Sequence, residues 1–512
     1  MGKAVGIDLG TTFSAVAVVG QAGKPEILVN RDGDRITPSV VLFDRGTALV
    51  GSMAKRSAST APLDVAQFVK RQMGNADWRF VTTDGAEYGA EEVSAIILKR
   101  LKEDAELYLG AGTITGAVIT VPAYFDDARR RATIDAGKIA GLHVLRVLNQ
   151  PTAAALAFGL DLGGTGTVMV YDLGGGTFDV TVMKIDDGVF DVLGTDGLHE
   201  LGGFEWDNRL MQWLNSEFQA QGGSDLTDNF ETDAILREKA ELAKHTLSQA
   251  ASARVILSAQ GLTRTLTVAR TVFEEITADL VNQSRDLILS LMEELGLQFS
   301  DLDNVLLVGG STRMPMVTRM LEDICGKSPL HVGNPDELVA LGAAIQANVE
   351  GQLTTGDWPS PTPSSHTILD VTSQALGTIA LNDDGVPRNH IIISRNTKIP
   401  THKSQVFTTV RDGQTEIRVQ VTQGDDEDPQ YVRFVTRGSF PNGGQVFSIP
   451  PYPAGAPIRI AFHYDIDQTI QVEIWDLTAN RSLGTFEVDN AANLNDDEMK
   501  TAREKNRNLE VN

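Results

Sequence analysis

Cysteine is almost missing from this 512-residue chain, Cys325 being the single one. One thiol can build neither an intrachain disulfide framework nor a cysteine metal cage, which suits a reducing compartment. Read plainly, Cys325 is a small core residue. Positive charge is also short: 44 Lys and Arg stand against 68 Asp and Glu, a net charge of −24. That balance argues against nonspecific binding to nucleic acid or anionic membrane and favours solubility. No apolar run approaches the length of a membrane span. The N-terminal M-G-K-A-V-G-I-D-L-G carries Asp8 and no signal-peptide core, and it lacks the Ser or Thr that myristoylation at Gly2 requires. The expectation is a cytoplasmic protein. At roughly 150 residues per domain the chain holds about three domain-sized units.

Glycine is what the sequence has in meaningful places. In V-M-V-Y-D-L-G-G-G-T-F-D-V-T-V-M-K, Val170 and Tyr171 close an apolar strand, Gly174, Gly175 and Gly176 form a turn, and Val180 to Ile185 open a second strand. Glycines let backbone amides approach an anion with no Cβ in the way. Asp172 before them sets a carboxylate beside the expected phosphate, which is repulsive unless Mg²⁺ lies between. Alone this would be a hairpin with a capping Asp. A second copy changes the reading: Lys3 to Val19 has a strand, Asp8, a Gly10-Thr11-Thr12 turn and another strand. The repeat predicts two similar lobes, each offering one phosphate loop to a shared cleft.

Between the hairpins, Val93, Ile96, Ile97, Leu101 and Leu107 are expected on one helix face, and Ala117 to Val121 as a strand ended by Pro122. Alternating strands and helices indicate α/β lobes. Lys70, in F-V-K-R-Q-M-G, could reach a γ-phosphate as a point charge. Leu201-Gly202-Gly203 is a further tight turn, and Ile235 to Ser248 reads as a helix with Glu241, Lys244 and Ser248 on one polar face. Val305 to Val308 forms a strand running into Gly309-Gly310-Ser311-Thr312-Arg313, whose amides could accept a base or phosphate. Thr354 to Ser365, rich in Pro, Ser and Thr, marks a linker. Beyond it the period becomes two: Ile417, Val419 and Val421, then Ile470, Val472 and Ile474, alternate with polar neighbours. Turns at Gly424-Asp425-Asp426 and Pro441-Asn442-Gly443-Gly444 separate strands of an expected antiparallel β-sandwich. Leu494 to Glu498 holds a capping box that starts one short, polar helix.

I-D-L-G-T-T, V-P-A-Y-F-D-D-A-R-R-R-A-T, P-T-A-A-A-L-A-F-G-L, Y-D-L-G-G-G-T-F-D and L-V-G-G-S-T-R-M-P together resemble the signatures of the seventy-kilodalton heat-shock (DnaK-type) chaperone family, in that family's order. The resemblance covers nearly all of Gly2 to Glu498. It implies a two-lobed, actin-like α/β ATPase over 1–353, a linker over 354–371, and an antiparallel β-sandwich over 372–490 that binds extended apolar peptides under ATP control. Residues 491–512 then read as a short helix, the remnant of a missing lid that would leave bound peptide freer to dissociate. The cofactors implied are ATP or ADP, Mg²⁺ and K⁺; the partners are unfolded polypeptides, a J-domain cochaperone and a nucleotide exchange factor, with no nucleic acid and no membrane.

Carried over residue by residue, the resemblance makes Gly10, Thr11, Thr12, Gly174, Gly175, Gly176, Thr177, Gly202 and Gly203 phosphate-binding. Asp8 and Asp172 would hold Mg²⁺ through waters. Glu241, Lys244, Ser248, Gly309, Gly310, Ser311, Arg313 and Asp336 would surround adenosine. Lys70, Gln150, Asp172 and Thr177 would be catalytic. Pro122, Arg130, Ile368, Leu369 and Asp370 would couple the domains, and Leu376, Phe407, Ile417 and Val419 would line the peptide cavity.

The departures matter as much. Gln150 stands where the family has Glu, and an amide orients water but cannot take its proton. The expectation is retained nucleotide binding with slow hydrolysis. Leu198-His199-Glu200 replaces D-T-H, which puts the K⁺ site in question and makes His199 structural. Phe204-Glu205-Trp206-Asp207 replaces E-D-F-D, His366-Thr367 interrupts an apolar linker and so predicts weaker docking, and Thr378 stands at an apolar cavity position. The alternative function is an ATP-sensing regulatory module with one dedicated partner; a small-molecule kinase would not need the linker and sandwich.

Overall fold

The computed structural model describes residues 2–161, 163–355, 366–382, 384–435, 443–466, 468–488 and 493–512. The linker reading at 354–365 and the turn at Pro441-Asn442 lie largely or wholly outside the residues described.

Both glycine hairpins form, and each seeds a sheet. Lys3–Asp8 pairs antiparallel with Phe13–Val19, and Ile114–Val121 lies parallel on its other side, flanked in turn by Val144–Asn149. Gly166–Leu173 pairs antiparallel with Phe178–Asp186, with Asn304–Val308 parallel on its other side and Val189–Leu198 beyond. The same local order, a parallel strand beside an antiparallel hairpin, therefore occurs twice. The strands are apolar on both faces, as expected of strands covered by helices.

Helix Leu338–Thr355 crosses the first sheet and touches helix Gln150–Leu156. The approach is so close that a Cβ on Gly342 would sit 1.7 Å from the Ala153 carbonyl oxygen, and one on Gly6 would sit 2.0 Å from the Ala344 nitrogen. Glycine here is a packing requirement rather than a turn signal. The helix Ala90–Leu109 buries Val93, Ile96, Ile97 and Leu101 as expected, but Leu107 is 71% exposed. Six residues past Leu101 is about 240° further round the helix, away from the core stripe.

Among the described residues between 371 and 488 all strand pairs are antiparallel. One runs Pro387–Ile393, Leu376–Leu381, Val421–Gln423, Arg433–Phe434; another runs Thr401–Thr408, Pro457–Tyr464, Ile470–Asp476, Arg481–Glu487. Leu376, Ile393 and Val421 from the first share one core with Ile460, Phe462, Val472 and Ile474 from the second. The alternating run through Ile417, Val419 and Val421 is not one strand. It breaks at Gln420, so that Gln414–Val419 pairs with Gln445–Tyr452 while Val421–Gln423 joins the first sheet. The period of two continues across the break, which is why it does not show in the pattern.

This β-rich unit is tied down at both ends of its sequence. Thr367–Leu369 adds a parallel strand to Val189–Leu198, burying Ile368 while Thr367 and Leu369 face outward. His366 bonds Gln346 at 2.7 Å. Backbone pairing and one buried Ile make the attachment, so the polar His366-Thr367 does not prevent docking. At the other end, helix Asp496–Asn508 starts at an Asn495 cap that accepts from the Asp497 and Glu498 amides. It packs on the first unit: Lys99 Nζ donates to the Asn506 and Leu509 carbonyls at 2.9 and 2.7 Å, and Glu510–Val511 pairs parallel with Thr47–Ala48. Ala502, Leu509 and Val511 enter the core of that unit. The segment expected as a polar remnant is thus an integrated part of the fold. Arg131–Glu487 at 2.8 Å, Arg395–Asp196 at 3.2 Å and Arg433–Asp126 add side-chain ties between the β-rich unit and the rest.

Glu91, buried in the first turn of Ala90–Leu109, carries a pH-dependent cost. Burial, opposed by a backbone hydrogen bond and reinforced by Asp135, pushes its carboxyl from near 4.5 to about 7. The folded state then binds the proton more tightly than the unfolded state, so stability falls as pH rises from about 4.5 to about 7. Glu91→Gln removes that loss: it is expected to raise stability at pH 8 by about 2–3 kcal/mol and to change little at pH 4.5, as thermal melts at the two pH values will show.

Candidate functional site

The turns of the two hairpins face each other across a cavity of ≈ 580 Å³, within the usual range for ligand sites. They meet because glycine permits it. A Cβ on Gly175 would lie 2.4 Å from the Thr12 side chain, and one on Gly176 would lie 2.6 Å from that of Thr11. Gly202 supports the same turn from behind, its hypothetical Cβ 2.4 Å from the Gly176 nitrogen. The amides of Gly203 and Phe204 donate to the Gly174 and Gly175 carbonyls at 3.0 and 2.8 Å.

Of the expected residues, Asp8, Gly10, Thr11, Thr12, Lys70, Gln150, Asp172, Gly174, Gly175, Thr177 and Gly203 line the cavity. Its far part is formed by Glu241, Lys244, Ser248, Gly309, Gly310, Ser311, Arg313 and Asp336. Gly176 and Gly202 stand behind that surface. Several of the outer residues already hold protein partners: Glu241 pairs with Lys55 at 2.7 Å, Lys244 with Asp207 at 2.8 Å, Arg313 with Asp336 at 2.8 Å, and Ser311 Oγ donates to the Gly174 carbonyl. These contacts fix the walls that a ligand would meet.

The floor is dominated by buried charge. Lys70 is buried in the short 3₁₀ turn Val69–Gln72, where burial lowers its pKa and Asp8, Asp172 and Asp179 oppose the shift. Asp172 is pushed well above the ordinary carboxylate range by burial and then by Asp179 and Asp8. Burial also raises Asp8, against Lys70 and hydrogen bonds from Thr120 and Gln150 at 2.8 Å each. Asp179 rises to about 7, and its Oδ2 has no hydrogen-bond partner. Three carboxylates around one ammonium form a site whose desolvation cost an added cation would offset. Among the described residues no group of three or more carboxylate, His or Cys side chains is disposed to ligate a metal directly, so Asp8 and Asp172 fit a Mg²⁺ held through its waters beside a phosphate chain.

Gln150 opens the helix Gln150–Leu156 and directs its Nε2 to Asp8. Its neighbour Asn149 points the other way: Nδ2 donates to Asp370 at 3.0 Å and Oδ1 accepts from Arg130 at 2.7 Å. Arg130 and Asp370 thus come together as the resemblance implied, through Asn149, which sequence reasoning did not single out. Thr120, Asp179 and Asp207 were missed likewise. Only Asp179 carried a signal, as the acidic residue two positions after Thr177, at the start of the strand Phe178–Asp186. Pro122 ends its strand beside this network, and His199, pushed to about 4 chiefly by burial, sits 5.2 Å from the Tyr124 ring.

In the β-rich unit, Leu376 and Val419 are wholly buried in the core rather than facing a groove, while Phe407 and Ile417 are partly exposed. Thr378 is buried with its hydroxyl donating to the Gln420 carbonyl at 2.7 Å, which explains how a polar residue is tolerated there. Among the described residues no helix is long and apolar enough to cross a membrane.

The family profile described as "Hsp70 protein" matches residues 4–511. Similar relatives include the "Chaperone protein DnaK" of Thermotoga neapolitana, 45% identical over 93% of this chain and 79% of that protein, and those of Thermotoga petrophila and Thermotoga maritima, each 44% identical over 97% of this chain and 82% of theirs.

Because the clash at Gly202 is with backbone, Gly202→Ala must displace the Gly174 to Gly176 turn. A fall in affinity for a fluorescent ADP of on the order of tenfold or more, with an unchanged circular dichroism spectrum, is the expected result.

Proposed function

The chain belongs to the Hsp70 family, and on that footing we propose how its residues divide the work of this ATP-hydrolysing molecular chaperone. ATP lies between two actin-like lobes, one built on each glycine hairpin, over 1–353. Thr11, Thr12 and the Gly174 to Thr177 turn hold its phosphates; Glu241, Lys244, Ser248, Gly310, Ser311 and Arg313 surround the adenosine. The twofold occurrence of the hairpin topology and the single cavity between the turns support this. Mg²⁺, held by Asp8 and Asp172, supplies charge neutralisation of the phosphate chain. Lys70 adds a point charge toward the γ-phosphate, in keeping with phosphoryl transfer being mainly positioning and electrostatics.

The β-rich unit over 372–490 is a sandwich that takes extended apolar segments of unfolded polypeptides, with Phe407 and Ile417 the exposed candidates for contact. The relatives are named as chaperones, and they do not favour the regulatory-module alternative. A J-domain cochaperone and an exchange factor are the cochaperone classes this reading includes. K⁺ would find Asp179 but not the acidic residue that Leu198 replaces.

Gln150 carries the conclusion about rate. Its amide, 2.8 Å from Asp8, can orient water through Oε1 but cannot accept a proton. Hydrolysis is therefore slow while binding is retained. Gln150→Glu is expected to raise single-turnover ATP hydrolysis by on the order of 10²-fold, and an unchanged rate would sink this account. Asn149 lies between Asp370 and the helix that presents Gln150. With Asn149→Ala, ATP should still bind, but its acceleration of model-peptide release should shrink roughly tenfold. A J-domain protein and an apolar peptide should both stimulate wild-type turnover.

A further inference from the structure

Phe68 is held in the left-handed region, φ 57° and ψ 23°, immediately before the Lys70 turn. A bulky residue stays there only when its surroundings impose it. The surroundings are aromatic and cationic. Phe204, in the first turn of the helix Gly203–Ala220, lies edge-on to Phe68 with ring centroids 4.7 Å apart. The Arg71 guanidinium carbon is 4.5 Å from the Phe204 centroid and that of Arg237 is 4.8 Å from it. Arg71 also pairs with Glu205 at 2.7 Å, and Arg237 donates to Asn208 at 2.9 Å. The backbone of Phe204 is itself bonded to the glycine turn at Gly175. One ring thus joins the segment carrying Lys70 to the segment supporting the phosphate turn.

We propose that Phe204 is a positioning residue, the centre of a latch with Phe68, Arg71 and Arg237 that ties the Lys70 turn to the glycine turn beside the cavity, holds the Lys70 turn in register and limits the rate of nucleotide release. The proposal rests on the cavity being the nucleotide site. A ligand enclosed by both walls leaves only when they part, and this cluster spans them. Ring–ring and cation–π contacts cost little side-chain entropy and add to the mostly buried Arg71–Glu205 pair. Phe204 replaces a carboxylate of the family pattern, and Glu205 beside it supplies the acid that Arg71 pairs with. The substitution has added an apolar contact while keeping a charge partner.

Phe204→Leu preserves apolar volume and the backbone but removes the ring; Phe204→Trp keeps a π face. In nucleotide-free protein, hydrogen exchange of the 69–72 amides should quicken in Phe204→Leu and return to wild-type protection in Phe204→Trp. In fluorescent-ADP chase experiments, Phe204→Leu should release nucleotide about tenfold faster, with Phe204→Trp near wild type. Unchanged exchange in Phe204→Leu overturns the latch, and so does faster exchange with an unchanged release rate. Equal acceleration in the Leu and Trp variants also overturns it, because the ring would then be irrelevant. Faster exchange in Phe204→Leu alongside a wild-type protein that binds no fluorescent ADP supports the latch and refutes the nucleotide reading instead.

Discussion

Everything at the cleft depends on holding several carboxylates largely out of bulk water, Asp172 and Asp179 buried and Asp8 half-buried. Asp8, Asp172 and Asp179 gather around Lys70, each raised above its ordinary pKa first of all by burial. In low dielectric such a group is costly until opposite charge arrives. The protein supplies the Lys70 ammonium, Thr120 and Gln150 as donors to Asp8, and the Tyr124 amide as a donor to Asp179, which offsets only part of that charge. A cation reaching the site would offset that charge, and a phosphate chain could approach the carboxylates only with such a cation between them. The glycines serve this arrangement: without them Thr11 and Thr12 could not stand against Gly175 and Gly176, and the carboxylates would face open solvent.

The same region reaches the β-rich unit by a short route. Asp8 is bonded to Gln150, Gln150 is the chain neighbour of Asn149, and Asn149 is bonded to both Asp370 and Arg130. Arg130 in turn donates to the carbonyls of Ala123 and Phe125 on the loop after Pro122. Helix Gln150–Leu156 carries Gln150, follows directly on Asn149 and is pinned by the close passage of Gly342. A displacement felt at Asp8 therefore has a stiff element through which to act at Asp370.

Much of this was legible in sequence because hairpin turns, glycines and carboxylates fall at fixed spacing: Asp8 with Thr11, and Asp172 with Gly175, stand in the same relation to their strands. Lys70 was legible only through the family resemblance, since nothing local distinguishes it from a surface lysine. Leu107 misled because an apolar residue near a helical stripe need not lie on it. Gln420 was opaque because a strand can change sheets without losing its period. Leu376 and Val419 were placed at the peptide cavity by the family resemblance, and no local pattern says whether a buried apolar face meets a partner or its own core. Asn149, Thr120 and Asp207 depend on partners distant in sequence, which no local pattern announces.

The strands Thr367–Leu369 and Glu510–Val511 attach opposite ends of the β-rich unit's sequence to different sheets of the remainder. The unit is consequently a bivalent ligand of its own chain. When one attachment opens, the other keeps the freed end near its site at an effective concentration that can reach the millimolar range, so reattachment outpaces escape. Separation then requires both to be open at once, and its equilibrium varies with the product of two opening constants rather than with either alone. Any polypeptide joined after Asn512 would likewise start beside Thr47–Ala48, not from the antiparallel sheets of the β-rich unit.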